Sequence, residues 1–169
     1  MSIFGPVSKE LNLNLNTISN VAHPTRPNDA ATKEYVDSRP PIITIWAEES
    51  GALNKGKYEW SFGNGATSQH AGYTMMANGR ILAISLTSVP VRSSDNSVKD
   101  INVGIVVNGK PIKGYEIELI NGVSAVKIFQ TPLAVKSGSV INFVSNSSTK
   151  DSAASVIALL VELNIKSSV

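Results

Sequence analysis

Histidine occurs twice in this chain of 169 residues, at His23 and His70, and no cysteine is present. Without thiolates there is no Cys-based metal site, no disulfide and no cysteine nucleophile. Neither histidine has a carboxylate at ligand spacing, so both read as surface or loop residues, although a trimer could bring three copies of either together. The neighbouring carboxylates Glu48 and Glu49 would point to opposite faces of a strand. They read as a solvated turn with Ser50 and Gly51, not as a glycosidase-type acid/base pair. Glu116 and Glu118 do share a face, opposite Tyr115, Ile117 and Leu119, and a wet sheet face accounts for them. Asp95 and Asn96 with Asp100 echo a calcium loop but lack its glycine and closing glutamate. Gly63-Asn64-Gly65 has neither a lysine nor a helix after it, so it is no phosphate cradle. No serine sits in a nucleophile-elbow pattern. These residue types point away from an enzyme and imply no cofactor and no metal.

Composition narrows the partners. The chain is 42% hydrophobic and 17% charged with a formal net charge of +2, and its lysines are scattered. That gives no electrostatic case for nucleic acid. The most apolar run, Ala153 to Ile165, is interrupted by Ser155 and Glu162. It is too short and too polar for a bilayer, which needs about 20 apolar residues. The first ten residues lack a basic region followed by a long apolar run, so they are not a secretion signal. The expectation is a soluble protein made in a cytoplasm without membrane insertion.

The elements that must position any site are mostly strands. Ile42 to Trp46 is β-branched and ends in an aromatic. Lys57 to Phe62 alternates, with Tyr58, Trp60 and Phe62 on one face. Arg80–Ser88, Ile101–Val107, Tyr115–Ile120, Ser124–Gln130, Val140–Ser145 and Ser155–Ile165 continue the pattern. Asn78-Gly79, Asn108-Gly109 and Asn121-Gly122 read as hairpin turns, and Thr131-Pro132 reads as a break. Eight to ten short strands at regular spacing, without helical periodicity beyond residue 38, predict a mainly β domain. An antiparallel jelly-roll β-sandwich fits this spacing best. The early aromatics Trp46, Tyr58, Trp60, Phe62 and Tyr73 read as core or subunit interface, with a sugar-stacking surface as the alternative.

Three segments follow. Residues 1–10 form a tail bearing Ile3, Phe4 and Val7, either a frayed terminus or an anchor peptide inserted into a partner. Residues 11–39 are distinct. Leu11, Leu13 and Leu15 alternate with Asn12, Asn14 and Asn16, a period of two that predicts an extended stretch with one dry face. Ile18 and Val21 prolong the apolar edge until Pro24 and Pro27 interrupt it. A short helix then follows, with Asn28 or Asp29 as N-cap, Ala30 and Ala31 as helix formers, and Lys33 paired with Asp37. Arg39-Pro40-Pro41 makes a stiff hinge, which places the boundary of the β domain, residues 40–169. A lone strand cannot bury the leucine face, so its partners are sought in identical chains.

The stretch LNLNLNTISNVAHPTRPNDAATKEYVD, residues 11–37, resembles a stem motif of bacteriophage and other viral fibre proteins. In that motif an Asn-rich strand runs into D-A-(V/A)-T-K-x-Y-V-D. Pro24, Pro27, Asp29, Ala30, Thr32, Lys33, Tyr35, Val36 and Asp37 carry the likeness. The body is similar to TNF/C1q-like trimeric heads of viral fibres through Val107-Asn108-Gly109, Phe129 to Leu133, Gly138 to Phe143 and Val156 to Leu163. One stem copy and one head make a short spike, a head fibre or a decoration protein as compatible with the chain as a distal tail fibre. The resemblance implies a homotrimer on the virion surface, with Leu11, Leu13, Leu15, Ile18, Val21 and Tyr35 in the trimerising stem. It further implies that the N-terminal peptide contacts other virion proteins. A host receptor or glycan, if bound, falls to the loops carrying His70, Tyr73, Arg92, Asp95, Asn96, Asn146 and Lys150. A purely structural capsid decoration is the alternative. A final strand apolar in both parities, Val156 to Val161, suits a strand covered on both faces.

Overall fold

The computed structural model describes residues 15, 17–51, 55–58, 60–62, 71–90, 101–120, 123–146 and 153–164. The chain divides into two units, Met1–Arg39 and Pro40–Val169.

In the first unit, α1 spans Lys33–Asp37, and its N-cap is Thr32. The expectation of Asn28 or Asp29 at that position is corrected, for a visible reason. The Asp29 carboxylate is already committed to a turn, where it accepts from the Thr25 and Arg26 backbone N–H groups, each at 2.8 Å. Thr32 Oγ1 instead accepts from the Tyr35 N–H at 3.0 Å, which satisfies one orphan donor of the helix start. Lys33 and Asp37 form the expected ion pair. The extended expectation fails at Leu15, whose φ of 66° is left-handed, as is Asn20 at 59°. Tyr35 lies edge-on to His23, ring centroids 6.1 Å apart, and the Arg39 guanidinium sits 5.1 Å from its ring centroid.

The turn at Asp29 has a pH signature. Its backbone hydrogen bonds to Thr25 and Arg26 hold the carboxyl below its ordinary value. A depressed folded-state value stabilises the turn above the unfolded carboxyl's pKa, and the contribution is lost as pH falls through the lowered value. Amide resonances of Thr25 and Arg26 should therefore titrate with a midpoint below that of a free aspartate. A midpoint at the ordinary value would show that the turn does not persist in solution.

The second unit contains eight strands: β1 Ile42–Gly51, β2 Tyr73–Thr74, β3 Asn78–Pro90, β4 Ile101–Val107, β5 Lys110–Leu119, β6 Ser124–Val135, β7 Val140–Ser145 and β8 Ala153–Asn164. They form two four-stranded antiparallel sheets, ordered β1-β8-β3-β6 and β2-β7-β4-β5. Except for the β4–β5 hairpin, each successive strand crosses to the other sheet, which is jelly-roll connectivity. Asn108 (φ 52°) and Gly109 (φ 75°) turn that hairpin, both left-handed as a type I′ turn requires. The inner faces meet in one core. Ile45, Ile84, Leu86 and Leu159 from the first sheet pack with Val103, Ile105, Ile141 and Phe143 from the second.

Four further strand expectations change. Glu48 and Glu49 lie inside β1 and pair with Val156 and Ser155 of β8, so they are strand and not turn. The described residues of 57–62 form no strand: Ser61 makes an isolated bridge to Glu48, and the Lys57 carbonyl accepts from the Ser145 N–H at 3.3 Å, yet Trp60 is fully buried and Phe62 stacks on Phe143. Asn78-Gly79 opens β3 instead of turning. A Cβ at Gly79 would sit 2.7 Å from the Glu162 carbonyl oxygen, so glycine here permits close approach of β8. Pro132 does not end β6. It falls in a bulge of an edge strand, where a missing N–H costs no ladder bond. Asn121-Gly122 lies outside the described residues.

Irregularities in the ladders set which side chains face inward. Ile81 opposes Val161, but Ala83 opposes Leu160. Leu82 is therefore an extra residue, and the inward set steps from Ile81 to Ile84, Leu86 and Ser88. On the neighbouring edge, β3 advances from Ile81 to Ala83 while β6 runs back from Leu133 to Ile128. In the other sheet, β4 advances from Gly104 to Val106 while β5 runs back from Glu116 to Pro111. The two bulged edge strands are tied together. Tyr115 packs edge-on against Phe129 with centroids 4.8 Å apart, and its hydroxyl donates to the Thr131 carbonyl at 3.0 Å. Lys127 Nζ donates to the carbonyls of Glu116 at 2.7 Å and Gly114 at 3.4 Å.

Candidate assembly surface

Register places four side chains in each row across the outer face of the β1-β8-β3-β6 sheet. Trp46 opposes Ala158, Ala158 opposes Ser85, and Ser85 opposes Val126. The next row is Thr44, Leu160, Ala83 and Ile128. Trp46 is 54% exposed, Val126 72% and Ile128 77%. Ile42 and Val156 extend the apolar surface on either side, and both are also exposed. One end is closed by the Arg80–Glu162 ion pair, the other by Glu48, Thr87 and Ser124. A contiguous apolar area with a polar rim is the pattern of a protein interface.

The opposite sheet differs. Val106, Asn142 and Val144 face away from the core, yet all three are buried. Asn142 Nδ2 donates to the Ala71 carbonyl at 2.5 Å, and its Oδ1 accepts from the Phe143 N–H at 2.7 Å. The β4–β7 outer surface is thus already covered within one chain, whereas that of β1, β8, β3 and β6 is open. Strand β8 shows the contrast most directly. Ile157, Leu159, Val161 and Leu163 fill the core, while Val156 and Leu160 face solvent.

Of the stem residues singled out, Ile18 is exposed, Leu15 is fully exposed, and Val21 and Tyr35 are half-buried. Leu11 and Leu13 lie outside the described residues, as do Ile3, Phe4 and Val7. Among the loop residues, Tyr73 is half-buried and packs against the core, and Asn146 is exposed with its Nδ2 donating to Asn102 Oδ1 at 2.8 Å. His70, Arg92, Asp95, Asn96 and Lys150 lie outside the described residues. No group of three or more metal-ligating His, Asp or Glu occurs among the described residues. Glu48 and Glu49 remain on opposite sides of β1, and Glu116 and Glu118 share the outer face of β5. The rows built on Ile42, Val126 and Ile128 were missed from the sequence. Their signal was apolar residues at both parities in β6, visible only once the register is known.

No protein-family model matches the chain, and no curated protein matches it. Among solved structures it is similar to a chain of the acidic stable capsid structure of Helicobacter pylori bacteriophage KHP30. The identity is 13% with a TM-score of 0.43, over 73% of this chain and 92% of that one.

Proposed function

We propose that the chain is a structural protein of a bacteriophage particle, a capsid decoration or head fibre that assembles as a homotrimer. The carrying observation is the uncovered apolar face of β1, β8, β3 and β6. Each copy lays this face against its neighbours around a three-fold axis, a closed arrangement that leaves no such face exposed. The resemblance of residues 11–37 to viral stem motifs supports three chains and a particle setting. β1 begins at Ile42, so the chain enters the head at one end of the apolar face. Leu11, Leu13, Leu15, Ile18 and Val21 of the three chains supply a second contact in this assembly. Ile3, Phe4 and Val7 then anchor the trimer to another particle protein.

Light scattering tests the assembly. The expected mass is three times the 17.9 kDa chain, and a monomer or dimer would overturn the reading. Attachment to a host surface is a second role for the same trimer, since loops on a rigid sandwich commonly carry binding. Saturable binding of the purified protein to host cells supports it, and its absence leaves the structural role alone.

A further inference from the structure

The flank of the sandwich away from β5 and β6 is closed by a different device. β4 holds one edge of β7. On the other edge β2 reaches only Ile141 and Val140. Farther along that edge Gly56 and Lys57 take over. The Gly56 N–H donates to the Ser145 carbonyl at 2.7 Å, and the Ser145 N–H donates to the Lys57 carbonyl at 3.3 Å. By Ser61 the chain has crossed to the other sheet. The Ser61 N–H donates to the Glu48 carbonyl of β1 at 2.8 Å, and the Glu48 N–H donates back to the Ser61 carbonyl at 2.9 Å. Next to Ser61, Trp60 meets Phe143 edge-on and Phe62 stacks on the same ring. Gly56, Lys57, Trp60, Ser61 and Phe62 thus belong to a strap with one end on each sheet.

Its closure leaves two polar groups unpaired. Trp60 Nε1, on the strap, and Ser145 Oγ, on the residue to which one strap end is bonded, are buried with no hydrogen-bond partner among the described residues. A buried unpaired group carries its full desolvation penalty, which water removes once the group is exposed. The strands beneath are held otherwise: β8 is paired along its length with β1 on one side and β3 on the other. Burial of Trp60 and Phe62 holds the strap down, against the pull of the two unpaired groups. We propose that this strap opens and recloses as one unit while both sheets stay folded. Opening hydrates Trp60 Nε1 and Ser145 Oγ and bares Phe143, together with the edges of β1 at Glu48 and of β7 at Ser145. The head then has a yielding flank here, while the β5–β6 flank, tied by Tyr115 and Lys127, stays shut. Such sub-global openings lie at the low-energy end of native fluctuations. The strap draws on one chain and stands whether or not the trimer forms.

The test is native-state hydrogen exchange of the full chain, read by NMR at several urea concentrations below unfolding. The amides of Gly56 and Ser145 at one end, and of Glu48 and Ser61 at the other, should share one opening free energy and one shallow urea slope. They should exchange about a hundredfold faster than Ile84 and Leu159 in the central strands. The buried Trp60 indole N–H should follow the strap, whereas that of Trp46, which is 54% exposed, should exchange freely. Ser145→Ala removes one unpaired group and should slow exchange at both strap ends about fivefold, the low end of what such a group costs. The proposal is overturned if the two ends differ in opening free energy or slope, or if all four amides exchange with Ile84 and Leu159. It is equally overturned if Ser145→Ala leaves strap exchange unchanged or speeds it.

Discussion

Leu160→Asp should convert the proposed trimer to a folded monomer. Leu160 lies at the centre of the second apolar row, between Thr44 and Ala83, and is 39% exposed in one chain. In the monomer its carboxylate reaches water, so the head tolerates it. In the proposed trimer the same carboxylate is buried without a partner, at a cost of about 3–5 kcal/mol for each copy. That is more than a hundredfold in each contact. Light scattering should read one chain mass, with an unchanged β-type circular dichroism spectrum. Met76→Asp is the control, because Met76 is 80% exposed and lies in the turn between β2 and β3. It should leave the mass at three chains. A trimer that survives Leu160→Asp would show that this face is not the contact, and would return the weight of assembly to residues 11–21.

Phe143→Ala should be the most destabilising single truncation in the head. Phe143 is fully buried on β7. Phe62 stacks on it at 5.7 Å and Trp60 meets it edge-on at 6.1 Å. Phe-to-Ala in a packed core costs about 3–5 kcal/mol, of which part is the cavity left behind. For a domain of this size that lowers Tm by roughly 10–20 °C. The substitution also removes a ring that Trp60 and Phe62 pack against, while the bridge to β1 is made by Ser61 between them. Trp60 fluorescence should therefore shift to the red even below the melting transition. A native-like Trp60 emission in the variant would mean that other contacts seat residues 60–62.

These two sites differ in how far they could be read from the amino acids. Local chemistry served well where it decided the outcome. Asn108-Gly109 turns the hairpin because left-handed backbone is cheap there, and Val140–Ser145 is a strand of the expected bounds. The same dipeptide at Asn78-Gly79 lies in a strand, because the close approach of Glu162 outweighs its turn preference. Glu48 and Glu49 look like turn residues until β8 supplies them with a ladder. Pro132 looks like a terminator, but β6 is an edge strand with a bulge to receive it. Asp29 was a plausible cap, and lost the role because its carboxylate binds backward to Thr25 and Arg26. The apolar doubling of Val156 to Val161 hinted at a second covered face. Its partners Trp46, Val126 and Ile128 could not be aligned with it, since the Leu82 bulge and the offset in β6 reset the register by amounts no local pattern reveals.

The tie between β5 and β6 bears on what this head cannot do. An edge strand normally offers its carbonyls to any passing strand, and jelly-roll proteins made in quantity risk stacking into ribbons. Here the Lys127 ammonium occupies two of those acceptors on β5, Gly114 and Glu116. The bulges on both strands bend the edges out of the straight line that a neighbouring ladder needs. Growth by strand addition is thereby blocked along this flank, while the proposed assembly uses up the apolar surface. The proposed trimer then has no sticky end on this side to recruit a fourth chain.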